Sequence, residues 1–431
     1  MQTERLFRIF REESTGISTD SRSITKGQIF FALWGKSHNG NQFAADALEK
    51  GASYAVIDDP AYESDRTILV DDCLFELQSL ATFYRKELGV PVLAVTGTNG
   101  KTTTKELIAA ILSKKIKVHF TRSNLNNEIG VPLTILSAPA DTEFMVIEMG
   151  ANHPGEIRTL CNIARPDYGI ITNIGTAHIE GFGSWDGVAR AKTELYEYLR
   201  KINGIAFYND ENLILKQRIF RLVNRAVPFS APAGLPLIVQ ALPSESNLRV
   251  LIKYRNESYE VPTKLFGAYN LENIKAATAI SLFLGAGIKD IVDSVQNYDP
   301  GNNRSQFKKT DRNTLICDSY NANPTSMSLA LRDFAGINTG RKMVILGDML
   351  ELGSITEEEH RKILEFVQSL NFDKVVLVGP VFKKINKDKN FECFKNTDLL
   401  CEELRKNRVS GYHILIKGSR GMSLEKTYGY L

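Results

Sequence analysis

At 431 residues, 43% of them hydrophobic and 24% charged, the chain has a globular composition and is too long for one ordinary core, so two or three domains are expected. A formal charge of only +3 gives no broad basic field and argues against nucleic acid as a partner. No uninterrupted apolar run is long enough to span a bilayer, which argues against membrane insertion. The opening MQTERLFRIFREE lacks the apolar stretch of a signal peptide, and five cysteines (Cys73, Cys161, Cys317, Cys393, Cys401) without metal-site spacing read as reduced thiols. A cytoplasmic protein is expected, and nothing marks a dimer, so a monomer.

In chain order, the first 90 residues carry three short strand patterns, QIFFAL, ASYAVID and TILVD, and read as a small α/β unit that ends near Val90-Pro91. Next comes Val92 to Glu106, VLAVTGTNGKTTTKE. An apolar run stops at Gly97, Gly100-Lys101-Thr102 follow, and a helix-compatible stretch runs from Glu106 to Leu112. Strand, glycine turn and helix in that order form a phosphate cradle, with backbone N–H groups and a helix N-terminus turned toward an anion. Lys101 can reach the β- and γ-phosphates of ATP, and the Thr102 hydroxyl can bind Mg²⁺. Val95 stands where the common pattern has a glycine, which points away from an ordinary kinase or GTPase.

Further apolar runs end in glycine or a polar residue and lead into helical patterns: FMVIEMG, YGIITNIG, GIAFYND, LICDSYN, MVILGDM, KVVLVG and HILIKG. Strands alternating with helices imply parallel sheets buried on both faces, with ligands at the carboxyl ends of the strands. The turn-rich DPGNN, Asp299 to Asn303, marks a second boundary. Asn323-Pro324 reads as a helix cap, and Thr356 with Glu359 as a capping box. The expected class is α/β in three domains: a small N-terminal α/β domain (1–90), a central P-loop parallel-sheet ATPase domain (91–301) and a C-terminal Rossmann-like α/β domain (302–431).

Three polar residues of the middle region stand out. Glu148 ends the strand FMVIE, where an acidic residue is the usual second anchor for nucleotide-bound Mg²⁺; a solvated strand end is the plain alternative. His178 lies just beyond another strand tip, as a metal ligand or a structural histidine. Lys192 lies in the helical GVARAKTELYEYL, and by spacing alone reads as a surface lysine.

Taken together, TGTNGKTTTKE, NLNNEIGVPLTIL, EMGANHPGEI, DSYNANPTSM, LGDMLELG and IKGSRG resemble, in order, the motifs of the Mur ligases, the ATP-dependent enzymes that build the peptide stem of peptidoglycan. The resemblance covers essentially the whole chain and leans toward the member that adds a dipeptide. It implies ATP, two Mg²⁺ ions and CO₂, as a carbamate on Lys192, for cofactors, and UDP-MurNAc-tripeptide and D-Ala-D-Ala for substrates. Thr96, Gly97, Thr98, Asn99, Gly100, Lys101, Thr102 and Thr103 would form the phosphate loop. Thr102, Glu148, His178 and carbamylated Lys192 would hold metal. Asn270 and Asn273, in GAYNLENIKAA, match the segment associated with the nucleotide base, although Tyr269 stands where the family usually has histidine. Arg304, within PGNNRSQ rather than the usual Gly-Arg, would reach the phosphates, and Asp318 would meet the ATP ribose. Lys101, His178, Lys192 and Arg304 would carry the catalysis.

For the substrates, the resemblance assigns Ser21, Arg22, Asn39 and Gly40 to the UDP-sugar, with a polar turn between strands as the plain alternative. It adds Asn126 and Asn127 to the substrate side, and Asn321, Asn323, Lys417, Ser419 and Arg420 to the incoming dipeptide or ATP. Asn323 can serve there and still cap its helix. The implied reaction activates a carboxylate as its acyl phosphate before an amine attacks, within a site that closes by hinges near Val90 and near Asp299–Asn303. A sister ligase that adds one amino acid, a folylpolyglutamate-type ligase and a non-catalytic ATP-binding regulator are the competing readings. The last is opposed by the presence of Lys101, Glu148, His178 and Lys192 together.

Overall fold

The computed structural model describes residues 2–35, 37–176, 179–244, 247–301, 303–386 and 391–431. His178 lies outside them. Among the described residues, four sheets organise the chain. The first is parallel and takes Ile17–Ser18, Ile29–Phe31, Tyr54–Ile57 and Thr67–Leu69 in chain order.

The central sheet is six-stranded and wholly parallel. Across it run Arg225–Pro228, Ile205–Tyr208, Tyr168–Ile171, Val92–Thr96, Phe144–Glu148 and Val118–Phe120. Val92–Thr96 therefore lies between Tyr168–Ile171 and Phe144–Glu148, where the winding reverses. Helices leave on opposite faces there and open a crevice, so the phosphate loop at its end sits at the sheet's natural ligand position.

Two places depart from the parallel pattern. Leu237–Leu242, Arg249–Tyr254 and Glu257–Pro262 form an antiparallel sheet. Its strands alternate buried and exposed residues, as a sheet with one wet face requires. The last sheet is six-stranded and mixed, because Gln306–Lys309 runs antiparallel on Thr314–Asp318 while Tyr412–Lys417, Arg341–Gly347, Lys374–Val378 and Glu392–Phe394 continue parallel. Only four residues separate its first two strands, too few for the crossover a parallel pair needs.

The helix Cys73–Leu88 ties the first sheet to the second. Asp72 starts it by accepting from the Phe75 N–H at 2.8 Å, and Gly89 ends it at φ 63°. Leu77, Leu80 and Ala81 join one continuous apolar core with Ile29, Phe31 and Val56 on one side and Ile135, Leu160 and Cys161 on the other. The Tyr84 hydroxyl donates to Ala138 O at 2.7 Å, and Arg85 Nε to Ala164 O at 2.9 Å. The chain turns near Val90 as expected, but apolar packing runs straight across that point, which does not favour a hinge there.

The expected capping box at Thr356 is absent. Thr356 is the first residue of the helix Thr356–Ser369, and its hydroxyl donates to Gly353 O at 2.7 Å. The 3₁₀ turn Gly353–Ile355 runs directly into this helix and supplies backbone partners, while Glu359 pairs with Lys362 at 2.7 Å. Asn323 does cap Pro324–Gly336, accepting from the Ser326 N–H at 2.9 Å. Among the described residues no helix is long and apolar enough to cross a membrane.

Candidate active site

The helix after the phosphate loop, Lys101–Leu112, begins five residues earlier than the sequence indicates. Two glycines shape the loop. Gly97 has φ 145°, and a Cβ there would lie 1.9 Å from Thr172 Oγ1; Gly100 has φ 79°, and a Cβ would meet Asn273 Oδ1 at 2.1 Å. Asn173, a residue the sequence reading passed over, pins the loop: its Oδ1 accepts from the Asn99 N–H at 2.9 Å and its Nδ2 donates to Asn99 O at 3.0 Å. The Thr98 hydroxyl accepts from the Gly175 N–H at 2.9 Å. Lys101 Nζ folds onto the loop's own carbonyls, Gly97 O at 2.8 Å and Thr98 O at 3.2 Å, and burial lowers its pKa. Thr96 belongs to the sheet rather than to the cavity wall; it is fully buried and its hydroxyl donates to Met149 O at 2.7 Å.

Glu148 is 2% exposed, which excludes the solvated strand end. Its carboxylate accepts from the Thr102 hydroxyl at 2.9 Å and from Asn126 Nδ2 at 2.8 Å, and the fully buried Lys105 lies 3.6 Å away. Burial opposes its ionisation, but Lys105, Lys101 and Arg304 hold the carboxyl below its ordinary range. An ionised carboxylate beside a threonine hydroxyl at the end of a phosphate loop is an all-oxygen donor pair suited to Mg²⁺, which would complete its shell with phosphate and water. No larger group of metal-ligating side chains occurs among the described residues. Asn127 Oδ1 lies just ahead of the helix Gly130–Leu136 and accepts from the Ile129 N–H at 3.2 Å and the Gly130 N–H at 2.8 Å.

Lys192 is not on the surface. It is 2% exposed, on the inner face of Trp185–Ile202, and faces the same cavity. It has no hydrogen-bond or carboxylate partner among the described residues. Burial, with Lys101 nearby, lowers its pKa far below the ordinary lysine value, so the neutral amine is favoured. A neutral amine is the form of a lysine that reacts with CO₂.

The opposite wall comes from the third domain. Arg304 lines the cavity with its Nε buried and unpartnered. Asp318 accepts from the Ser305 N–H at 3.0 Å and from Lys417 Nζ at 2.6 Å. Both Asp318 and Lys417 line the cavity, but they are paired with each other. Asn323 Nδ2 donates to Asn99 Oδ1 at 2.7 Å, a direct link from this domain to the phosphate loop. Asn270 and Asn273 are buried behind the loop, bonded to each other at 2.8 Å, with Asn273 Oδ1 accepting from the Thr104 hydroxyl at 3.2 Å. The Tyr269 hydroxyl meets Ser305 Oγ at 2.7 Å, and burial, then Asp318, raise its pKa far above the ordinary phenol value. Ser419 and Arg420 complete this wall, together with Asn321, and the cavity encloses about 1200 Å³.

Ser21, Arg22, Asn39 and Gly40 do not line this cavity. Arg22 pairs with Asp20 of its own turn at 2.8 Å. Asn39 caps a 3₁₀ turn through the Asn41 N–H at 2.9 Å, and a Cβ at Gly40 would strike Leu33 O at 2.2 Å.

The sequence matches "Mur ligase family, catalytic domain" over residues 13–124, "Mur ligase middle domain" over 95–281 and "Mur ligase, glutamate ligase domain" over 303–420. It is 35% identical to the UDP-N-acetylmuramoyl-tripeptide–D-alanyl-D-alanine ligase of Bacillus subtilis (strain 168), over 95% of this chain and 92% of the relative. To the protein of the same name from Escherichia coli (strain K12) it is 32% identical, over 95% and 92%. Its fold is similar to a crystal structure of MurF from Acinetobacter baumannii, with a TM-score of 0.84, 28% identity, and 98% of this chain and 97% of that one covered. A structure of MurF ligase from Thermotoga maritima in complex with ADP gives a TM-score of 0.82 at 27% identity, covering 96% of each chain. End-to-end similarity of this extent, on a site of this design, shows that the chain belongs to the Mur ligase family.

Proposed function

We propose that this chain joins D-alanyl-D-alanine to UDP-MurNAc-tripeptide at the expense of ATP, giving UDP-MurNAc-pentapeptide, ADP and phosphate. The observation that carries the reading is the single cavity in which the phosphate loop, the Glu148–Thr102 pair and the buried, unpaired Lys192 face Arg304. A carboxylate resists amines because its carbonyl is a poor electrophile. Transfer of the γ-phosphoryl group to the tripeptide's terminal carboxylate gives an acyl phosphate and ADP. The dipeptide amine then attacks the carbonyl, loses a proton, and phosphate leaves.

The first step needs alignment and charge neutralisation rather than a protein nucleophile. Lys101, released from the Gly97 and Thr98 carbonyls, binds the β- and γ-phosphates, and Arg304 meets the transferring group from the opposite wall. Thr102 and Glu148 would hold one Mg²⁺, and the carbamate of Lys192 with His178 a second; these ions supply positive charge where oxygens crowd. Asn99 and Asn323 keep the third domain over the phosphates and limit water access to the acyl phosphate.

The first domain takes the UDP-sugar through Ser21, Arg22, Asn39 and Gly40, the central domain takes ATP, and the third takes the dipeptide beside the nucleotide. ATP and UDP-linked precursors are cytoplasmic, so the reaction belongs there. The test is phosphate release with ATP, Mg²⁺ and UDP-MurNAc-tripeptide, with and without D-Ala-D-Ala, with products weighed by mass spectrometry. A pentapeptide mass that requires the dipeptide is expected. Stimulation by a single amino acid instead would move the chain to a sister ligase.

A further inference from the structure

Tyr320 lies two residues beyond the strand Thr314–Asp318 and lines the cavity. Its N–H donates to Asn303 O at 3.2 Å, which fixes it beside Arg304. The Arg304 guanidinium carbon sits 3.7 Å from the Tyr320 ring centroid, and that of Arg420 sits 5.0 Å from the same centroid. The two arginines come from distant parts of the chain. Arg420 follows Ser419, whose hydroxyl accepts from the Leu350 N–H at 2.9 Å and donates to Ala322 O at 3.3 Å, so the loop that carries it is anchored.

Neither arginine has a carboxylate partner among the described residues, and Arg304 Nε is buried without a hydrogen bond. Arg304 also lies close enough to Lys101 and Glu148 to perturb both. Two guanidinium groups over one ring repel each other. The negative face of the ring offsets part of that repulsion and holds both groups close to it. Both arginines line the same cavity, where guanidinium N–H groups not turned to the ring can meet an anion.

We infer that Tyr320 is a positioning residue that presents Arg304 and Arg420 as a matched pair to the phosphoryl group in transfer. This rests on the reading above. The ring does the work, not the hydroxyl.

The experiment compares Tyr320→Leu and Tyr320→Phe in the full chain. For Tyr320→Leu, kcat is expected to fall about 100-fold, the scale of a misplaced catalytic group, with little change in the KM for UDP-MurNAc-tripeptide. Tyr320→Phe recovers most of that loss, because phenylalanine keeps the π face. Calorimetry separates the phosphates: Tyr320→Leu weakens a non-hydrolysable ATP analogue at least tenfold and leaves ADP binding unchanged. In a background that carries both Arg304→Ala and Arg420→Ala the Tyr320→Leu change adds little, since its effect passes through those two arginines. Undiminished turnover in Tyr320→Leu, a Phe variant as poor as Leu, or equal loss of ADP and analogue would each overturn the inference. If the wild-type chain ligates nothing, the function is wrong, yet the ADP-against-analogue comparison still decides the arginine pair.

Discussion

At Gly97 the phosphate loop has no room for a side chain. A Cβ 1.9 Å from Thr172 Oγ1 must push the loop or Thr172 aside, and φ 145° disfavours any other residue. Gly97→Ala should therefore lower kcat/KM for ATP by about 100-fold while the melting temperature changes modestly; an active variant with normal ATP affinity would refute this. Lys192 is the other residue on which the proposed mechanism turns. Its burial favours the neutral amine that can add CO₂. Lys192→Ala should lose nearly all turnover, and a short-chain carboxylate added to the assay should restore part of it by standing in for the carbamate. Full activity of Lys192→Ala without added carboxylate would dismiss that role.

At the scale of elements, helix Pro324–Gly336 is aimed by one residue. Asn323 Oδ1 caps the helix while its Nδ2 reaches Asn99. Asn323→Ala removes both, and should cost about 1 kcal/mol of stability for the cap and raise the KM for ATP. Asn323→Asp keeps the cap but not the donor, so it should recover stability without recovering KM; thermal melts and kinetics on the pair separate the two effects. In the third domain, His360 Nε2 accepts from the Met349 N–H at 2.9 Å while Nδ1 meets Thr356 O at 2.7 Å, an arrangement that needs the neutral ring. Burial lowers its pKa from the ordinary 6.5, although Asp348 lies 3.7 Å away. The unfolded chain then binds the proton more readily. The stability His360 contributes is full above pH 6.5 and is lost as pH falls from there through its lowered folded value. Burial raises the pKa of Asp348, which acts in the opposite sense at lower pH. The melting temperature should drop between pH 7 and 5.5, and less steeply in His360→Gln; parallel curves would count against it.

The eight main strands of the central and third domains are legible in the sequence, because each is an apolar run punctuated by glycine or a polar tip. The antiparallel sheet of residues 237–262 is not read from the sequence, because LIVQAL is apolar at five of six positions and its alternation of buried and exposed residues appears only once the sheet is packed. Thr356 misled because a threonine followed three residues on by glutamate is a cap only if no helical turn precedes it.

Across the whole molecule, the first two domains share one core through Cys73–Leu88. A fragment of residues 1–90 would expose the face of that helix that packs on the central domain. It should lack a cooperative thermal transition; a folded fragment with dispersed amide resonances would contradict this. The third domain meets the central one through Asn323 on Asn99 at 2.7 Å, through Tyr269 on Ser305 at 2.7 Å and through Phe266, which packs into the third domain's own core.

By itself the sequence determined the phosphate loop, the acidic strand tip, the run of strands and helices and the family, because each is written in neighbouring residues. Tertiary structure alone decided that Lys192 is buried and unpaired, that Asp318 is held by Lys417, that Arg304 and Arg420 share Tyr320, and that Val90 is packed over. Those facts depend on which distant surfaces exclude water from one another, and a lysine on a helix carries the same local pattern whether its amine ends in solvent or in a cavity.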